Sequence, residues 1–301
     1  GGSPERRAEL LESLGAATLG AGDAERAESI HRSALEIRIA RFGPDSAEAA
    51  RSMTHVASSL ARQGRHEEAE ALDRQALTIL EAQQPSDLLL VARSQNQLAI
   101  RLRNLRRLDE AEELYRRCVH ALEQVRGVRH LDTAVALDNW ANCLMHLGRH
   151  QEAEPLLEQA IGIKRAVLAG SDPRLASSLQ FMAQMFVYQR EDGARGALFA
   201  REALQIREAA LGEFHPRTCD SMHVLGRALL LDGAPVEAEA ILRRALAGRV
   251  RRFSPASREV AESKAELGAA LAARGEPGEA RPLLVEAVES LEASLGPDDP
   301  A

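Results

Sequence analysis

Residues Leu137–Ile161, LDNWANCLMHLGRHQEAEPLLEQAI, decide the fold. They read as helix, short turn, helix. A small residue follows a bulky one in the first helix (Trp140-Ala141), and Gly148 marks the turn. Ala153-Glu154 sits early in the second helix, and Ala160-Ile161 follows seven residues on.

Working outward, the anchor alanine recurs at Ala27, Ala69, Ala111, Ala153, Gly196, Ala238 and Ala280. The step is 42 residues throughout, except for one of 43 before Gly196, where the extra residue falls in the loop Gln189–Gly193. Large apolar residues stand three positions after each anchor (Ile30 to Leu283) and eight after (Leu35 to Val288). Small ones stand seven after (Ala34 to Ala287), with Cys118 in place of Ala in the third copy. Offsets of 0, 3, 7 and 8 form one face of an α-helix. Upstream, the bulky-small pair repeats from Leu14-Gly15 to Leu267-Gly268.

Turn glycines occur at Gly22, Gly64, Gly148, Gly233 and Gly275, where a left-handed residue ends a helix. The third copy has Arg106 there and the fifth has the longer loop, so irregular turns are expected in both. Between copies lie helix-stop and helix-start signals: Gly43-Pro44-Asp45-Ser46, Gln84-Pro85-Ser86-Asp87, Gly170-Ser171-Asp172-Pro173, Gly212–Pro216, Phe253-Ser254-Pro255 and Gly296-Pro297-Asp298. The third connector, Gly127-Val128-Arg129-His130, carries the weakest signal. The expected fold class is therefore all-α: a solenoid of seven two-helix repeats, each burying its apolar face on its neighbours. The repeats span about 4–44, 45–85, 86–129, 130–171, 172–214, 215–254 and 255–296 of one domain, 4–301, and Gly1-Gly2-Ser3 reads as an expression scar.

Composition agrees. The chain is 45% hydrophobic but 3% aromatic, so its apolar mass is Ala and Leu, which favour helix. A net charge of −7 opposes general nucleic-acid binding, which needs a basic surface. Lys164 and Lys264 are the only lysines; this Ala-rich, Arg-for-Lys usage points to a GC-rich coding sequence and a bacterial source. Three cysteines at unrelated spacings indicate neither a zinc site nor a disulfide framework, and fit a reducing cytoplasm. No apolar run approaches the roughly 18 residues of a membrane span. No signal-peptide pattern is present.

The bulky-small pair, the turn glycine and the A-x6-A spacing resemble the tetratricopeptide repeat. The 42-residue period, the G-x-x-H-P connector (Gly212 to Pro216), the E-A-E-P-L segment (Glu152 to Leu156) and Leu137–Ala141 are similar to its kinesin light chain type. The resemblance runs from about Pro4 to Pro300. It implies a right-handed superhelix with the first helix of each repeat lining the concave side, and a non-catalytic module binding an extended peptide there. The alternative is a regulatory or sensor domain of a larger bacterial signalling or effector protein whose enzyme lies outside this chain. That alternative draws on a chain that starts inside a first helix and stops inside a connector. No phosphate loop, nucleophile-base pair or metal cluster is present, and no cofactor is implied.

The same resemblance selects groove residues on the first helices. They are Arg51, Thr54, His55 and Ser58 in the second repeat, Arg93, Asn96, Gln97 and Arg103 in the third, and Asp138, Asn139 and Asn142 in the fourth. The fifth gives Ser177, Gln180 and Gln184, the sixth Asp220, His223 and Arg227, and the seventh Glu262 and Glu266; Tyr188 joins them because it falls near the concave end of its helix. Amide side chains donate and accept, which suits an extended peptide backbone, and arginines suit carboxylates. The first half leans basic and the last half acidic, so a partner with acidic residues over Arg51, Arg93 and Arg103 is expected. Other features read as structural. Cys118 is an inert core thiol, and most aromatics of repeats four and five are core. His146 and His150 flank a turn, and the run Arg243–Arg252 is a solvated helix face.

Overall fold

The computed structural model describes residues 3–83, 85 and 87–295. Gly1, Gly2, Gln84, Ser86 and the Gly296-Pro297-Asp298 connector lie outside the described residues. Among those described, every regular element is an α-helix, and the fourteen helices form seven helix-turn-helix pairs. They are α1 (Pro4–Gly20), α2 (Ala24–Phe42), α3 (Ala47–Arg62), α4 (His66–Ala82), α5 (Leu88–Asn104), α6 (Leu108–Arg126), α7 (Leu131–His146), α8 (His150–Val167), α9 (Pro173–Gln189), α10 (Gly193–Leu211), α11 (Pro216–Leu231), α12 (Pro235–Val250), α13 (Arg258–Ala273) and α14 (Pro277–Leu295). The odd-numbered helix of each pair is its first helix, the even-numbered its second.

Two compact units divide between Leu156 and Leu157, inside α8. In the first unit, α1, α3 and α5 pack on their own second helices α2, α4 and α6. Each second helix packs on the next first helix, and α1, α3, α5 and α7 follow one another in contact. The second unit repeats the scheme with α9 to α14. Close approach depends on the strip of small residues: Ala27, Ala69, Ala111, Ala153 and Ala238 are wholly buried. At the fifth anchor a Cβ on Gly196 would stand 2.5 Å from Val187 Cγ2, which accounts for glycine there.

Helix starts follow the cap chemistry. Ser46 and Ser257 accept from the backbone N–H groups of Ala49 and Val260, and Asp172 from Arg174. Ser3, set aside in the sequence as part of a scar, caps α1 by accepting from Arg6 N at 3.3 Å. The third connector proves to be formed in the same way as the one at Gly212–Pro216. Gly127 (φ 88°, ψ 160°) and Gly212 (φ 86°, ψ 162°) occupy the same region, open only to glycine. His130 and His215 then cap the next helices through Nδ1, and Thr133 and Thr218 donate back to the glycine carbonyls at 3.1 and 2.9 Å. A histidine cap is a weaker textual signal than Ser or Asp, which is why the sequence left this connector faint.

The turn between α5 and α6 also departs from expectation: it is regular. Arg106 takes φ 63°, and the bonds Arg106 N to Arg103 O (3.0 Å) and Arg107 N to Leu102 O (2.9 Å) reproduce those around Gly64. The flanking helices impose the left-handed conformation despite the Cβ. The fifth repeat is irregular as expected, with Glu191 at φ 51° and a wide bond from Asp192 N to Phe186 O.

In the first unit a polar cluster is buried between α1, α2 and α3. His31 Nδ1 lies 2.9 Å from Ser59 Oγ, and its ring is 5.4 Å from that of His55. Burial, and for His31 the neighbouring His55, hold both imidazoles below their ordinary value. Ionisation of either is thus disfavoured in the folded state.

Two outcomes follow from this packing. Arg106→Gly relieves a left-handed conformation at an exposed side chain and raises stability by about 0.5–1 kcal/mol in denaturant unfolding; a loss of stability would show that the arginine side chain, not its backbone, matters. Because the folded-state pKa of His55 is depressed, its contribution is complete above the unfolded value near 6.5 and is lost as pH falls below it. The stability of the native chain relative to H55N therefore declines between pH 7.5 and pH 5, and a pH-independent difference would rule out the histidine origin.

Candidate functional site

A recurring buried cation, eleven residues after the anchor, organises the space between repeats. Arg38, Lys164, Arg207 and Arg249 occupy this position, and all four are buried. Lys164, Arg207 and Arg249 each donate to a backbone carbonyl ten residues on (Arg174, Arg217, Glu259) and to a serine hydroxyl fourteen on (Ser178, Ser221, Ser263), at 2.8–3.0 Å. The cation leaves a second helix and grips the first helix of the next repeat. Arg38 does so through a carboxylate: Glu12 accepts from Arg38 at 3.3 Å and from Ser52 at 2.6 Å. In the second and third repeats the position is Leu80 and Leu122, both buried.

Above the leucines, in the first unit, lies a pocket of about 420 Å³ between α3, α5 and α7. Leu80, Leu122 and Cys118 contribute to an apolar floor, and Arg51, Thr54, Arg93, Asn96 and Asp132 contribute to its polar wall. Arg93 approaches Asp132 only to 4.0 Å, and Ser94, buried in the lining, has no hydrogen-bond partner. Burial pushes the Cys118 thiol up to about 12, which keeps it an unreactive wall group.

The second unit has a counterpart of about 450 Å³ between α9, α11 and α13. Its floor is cationic, because Arg207 and Arg249 stand where leucine stands in the other pocket. Gln180, Gln184, Tyr188, Asp220, His223 and Glu262 line it further. Burial, then Arg249 and Arg227, push His223 down to about 4, so it is neutral at pH 7. Tyr188, 42% exposed, is covered by the Arg227 guanidinium 5.0 Å from its ring centre.

The residues expected to face a partner divide three ways. Arg51, Thr54, Arg93 and Asn96 line the first pocket; Gln180, Gln184, Tyr188 and His223 line the second. Others bridge repeats: Arg103 donates to Asn142 at 2.8 Å, Asn139 to Asn96 at 3.0 Å, Ser58 accepts from Arg101 at 3.2 Å, and Arg227 pairs with Glu266 at 2.6 Å. Asp138 is buried, 5% exposed, so its carboxylate belongs to the interior rather than to an open surface. Arg249 likewise leaves the basic run Arg243–Arg252: it is interior, while Arg243 and Arg244 pair with Glu239, Glu279, Glu208 and Glu213. The aromatic cluster is core at Phe186, which stacks on Phe199 at 5.9 Å. The cation clamp was missed from the sequence, although a basic residue at one fixed offset in four repeats, with serine fourteen later, was there to be read.

The tetratricopeptide repeat family model matches residues 6–82, 132–197 and 199–249, and a second model of the same repeat matches 91–132 and 260–301. The chain belongs to the tetratricopeptide repeat family. Among solved structures it is similar to a kinesin light chain candidate of Podosopora anserina with nearly identical TPR-like repeats, at 25% identity over 67% of this chain and 95% of that one, with a TM-score of 0.59. It shares its fold with the apo quorum sensor NprR of B. thuringiensis (11% identity, 97% and 89% covered, TM-score 0.66). It does so too with a Rap protein complexed with Competence and Sporulation Factor (13%, 96% and 77%, 0.65). No curated protein matches the chain. Among the described residues no group of three or more His, Cys, Asp or Glu could hold a metal ion, and no helix is long and apolar enough to cross a membrane.

The clamp is testable by a double-mutant cycle. S263A strands donors of the buried Arg249 and costs about 1–3 kcal/mol. Adding R249L recreates the Leu122–Ala136 pairing of the third repeat, so the pair of changes costs less than their sum by about 0.5–3 kcal/mol. Strict additivity would mean the two side chains do not act together.

Proposed function

We propose that this chain is a non-catalytic protein-interaction module whose first helices bind an extended peptide or partner segment. The observation that carries this reading is the pair of pockets, each opening across three successive first helices and lined by amides, hydroxyls and arginines. Such a surface offers donors and acceptors at repeat intervals, which suits a backbone lying across them. A protein that shares the fold, the Rap protein, has been seen in complex with Competence and Sporulation Factor.

In the first unit the partner presents acidic residues to Arg51 and Arg93. Arg51 is exposed on the pocket wall, and Arg93 has only the long contact to Asp132. Arg103 is committed to Asn142 and contributes less. The surrounding apolar floor lowers the local dielectric, so an ion pair here is worth more than one in open solvent.

The test uses peptides selected from a random library by the native chain. Against R51E/R93E/R103E their affinity falls by more than about tenfold, the loss of one or two charge-assisted bonds, and the fall shrinks in high salt. Most of it is reproduced by R51E/R93E alone. Equal affinity for native and triple-variant chains would remove this surface from consideration.

A further inference from the structure

The buried cations differ in what neutralises them. Arg38 meets Glu12, Arg101 meets Asp73 at 3.2 Å, and Arg249 meets Asp220 at 3.1 Å. Arg207, 5% exposed, is bonded only to neutral acceptors: the Arg217 carbonyl, Ser221 Oγ and Gln180 Oε1. Of the acids lining its pocket, Asp220 acts on Arg207 only at a distance and accepts its hydrogen bond from Arg249, and Glu262 pairs with Arg258 at 2.8 Å. Burial lowers the Arg207 guanidinium to about 10, still charged at neutral pH. A buried charge with no carboxylate in contact is costly in a folded protein.

Comparison between repeats identifies what is missing. Glu12 and Gln180 each stand two residues before the bulky-small pair of their helix, at Leu14-Gly15 and Met182-Ala183. Each takes the same two hydrogen bonds. Glu12 accepts from Arg38 and Ser52; Gln180 Oε1 accepts from Arg207 at 3.2 Å and from Ser221 at 2.7 Å. In the fifth repeat an amide therefore replaces the carboxylate. The two donors that converge on Oε1 fix the amide orientation, which leaves Nε2 buried, without a partner, in the wall of the pocket. Gln180 is itself 5% exposed. Arg249 Nε and His223 Nδ1, in the same lining, are also unbonded.

We propose that the pocket of the second unit binds a carboxylate, supplied by an Asp or Glu side chain of the bound peptide. The carboxylate accepts from Gln180 Nε2 and lies against Arg207, and so provides from outside the negative charge that Glu12 provides from within in the first repeat. This rests on the peptide-binding reading above but places a second acidic contact where the first helices, with Asp220 and Glu262, look acidic. The deciding charges come from the second helices.

The experiment follows the side-chain amide resonance of Gln180 in the full chain labelled with 15N-glutamine, assigned by its absence in Q180E. The probes are acetyl-AAAEAAA-amide, acetyl-AAAQAAA-amide and glutarate. The Glu peptide shifts the Gln180 resonance saturably and the Gln peptide does not; glutarate acting as well as the peptide assigns the same chemistry to a free small carboxylate. Q180E keeps both acceptor bonds and supplies Arg207 with its own carboxylate, so it melts no lower than the native chain. It binds the Glu peptide at least about tenfold more weakly, because a charge-assisted donor has become a repelling oxygen. Equal shifts from the Glu and Gln peptides, or native affinity in Q180E, overturn the carboxylate site. If library-selected peptides bind while Gln180 stays unmoved, the carboxylate site falls and the peptide-binding module stands. If glutarate moves Gln180 while no peptide binds, the carboxylate chemistry stands and the module falls.

Discussion

A cation buried in the seam between repeats is the interaction on which much of this structure depends. The alanine strip brings the helices close enough to exclude water, and into that dry seam the chain inserts Arg38, Lys164, Arg207 and Arg249. Burying a charge rarely adds net stability. What it adds here is register. For Lys164, Arg207 and Arg249 the carbonyl ten residues on and the hydroxyl fourteen on are fixed acceptors, so a helix displaced by one turn would break both bonds. Apolar stacking alone, repeated every 42 residues with nearly the same side chains, discriminates weakly between such alternatives. The clamp supplies the discrimination locally, repeat by repeat, as expected for an architecture in which each repeat contacts its neighbours.

The fold was legible because its determinants are periodic. Ala27 through Ala280, the bulky-small pairs and the turn glycines recur at one spacing, and each has a direct steric meaning. The local departures were misjudged where backbone context overrules residue preference. Arg106 takes the glycine conformation because Arg107 N and Leu102 O close the same turn around it. His130 caps α7 because Gly127 and Thr133 set the connector, a role that no preference scale assigns to histidine with confidence.

The site was half legible. A helical wheel places Arg51, Arg93, Gln184 and Tyr188 toward one side, and they do line pockets. It cannot show that Arg103 is held by Asn142, or that Asp138 is drawn inside, since those depend on which side chains lie opposite in the next repeat. Nor can first-helix positions reveal groups that reach the pocket floor from the second helix. Arg207 and Arg249 arrive by that route, and they reverse the electrostatic character inferred from Asp220, Glu262 and Glu266.

The two pockets then follow from one substitution pattern. Where the seam residue is leucine, as at Leu80 and Leu122, the clamp is absent and the space above it has an apolar floor with charges confined to the wall. Where it is arginine, the seam is gripped and the floor is charged. Fourteen residues after Leu122 stands Ala136 rather than serine, so cation and acceptor are both absent and nothing is stranded. After Leu80 the serine remains, and Ser94 is left without a partner in the lining. In the fifth repeat the cation Arg207 is present and Gln180 stands where the first repeat has Glu12. The first pocket thus holds a clamp serine without its cation, and the second a complete clamp with an amide, not a carboxylate, at that position. In the second pocket the absent group is a carboxylate, which is the chemistry of the ligand proposed for it.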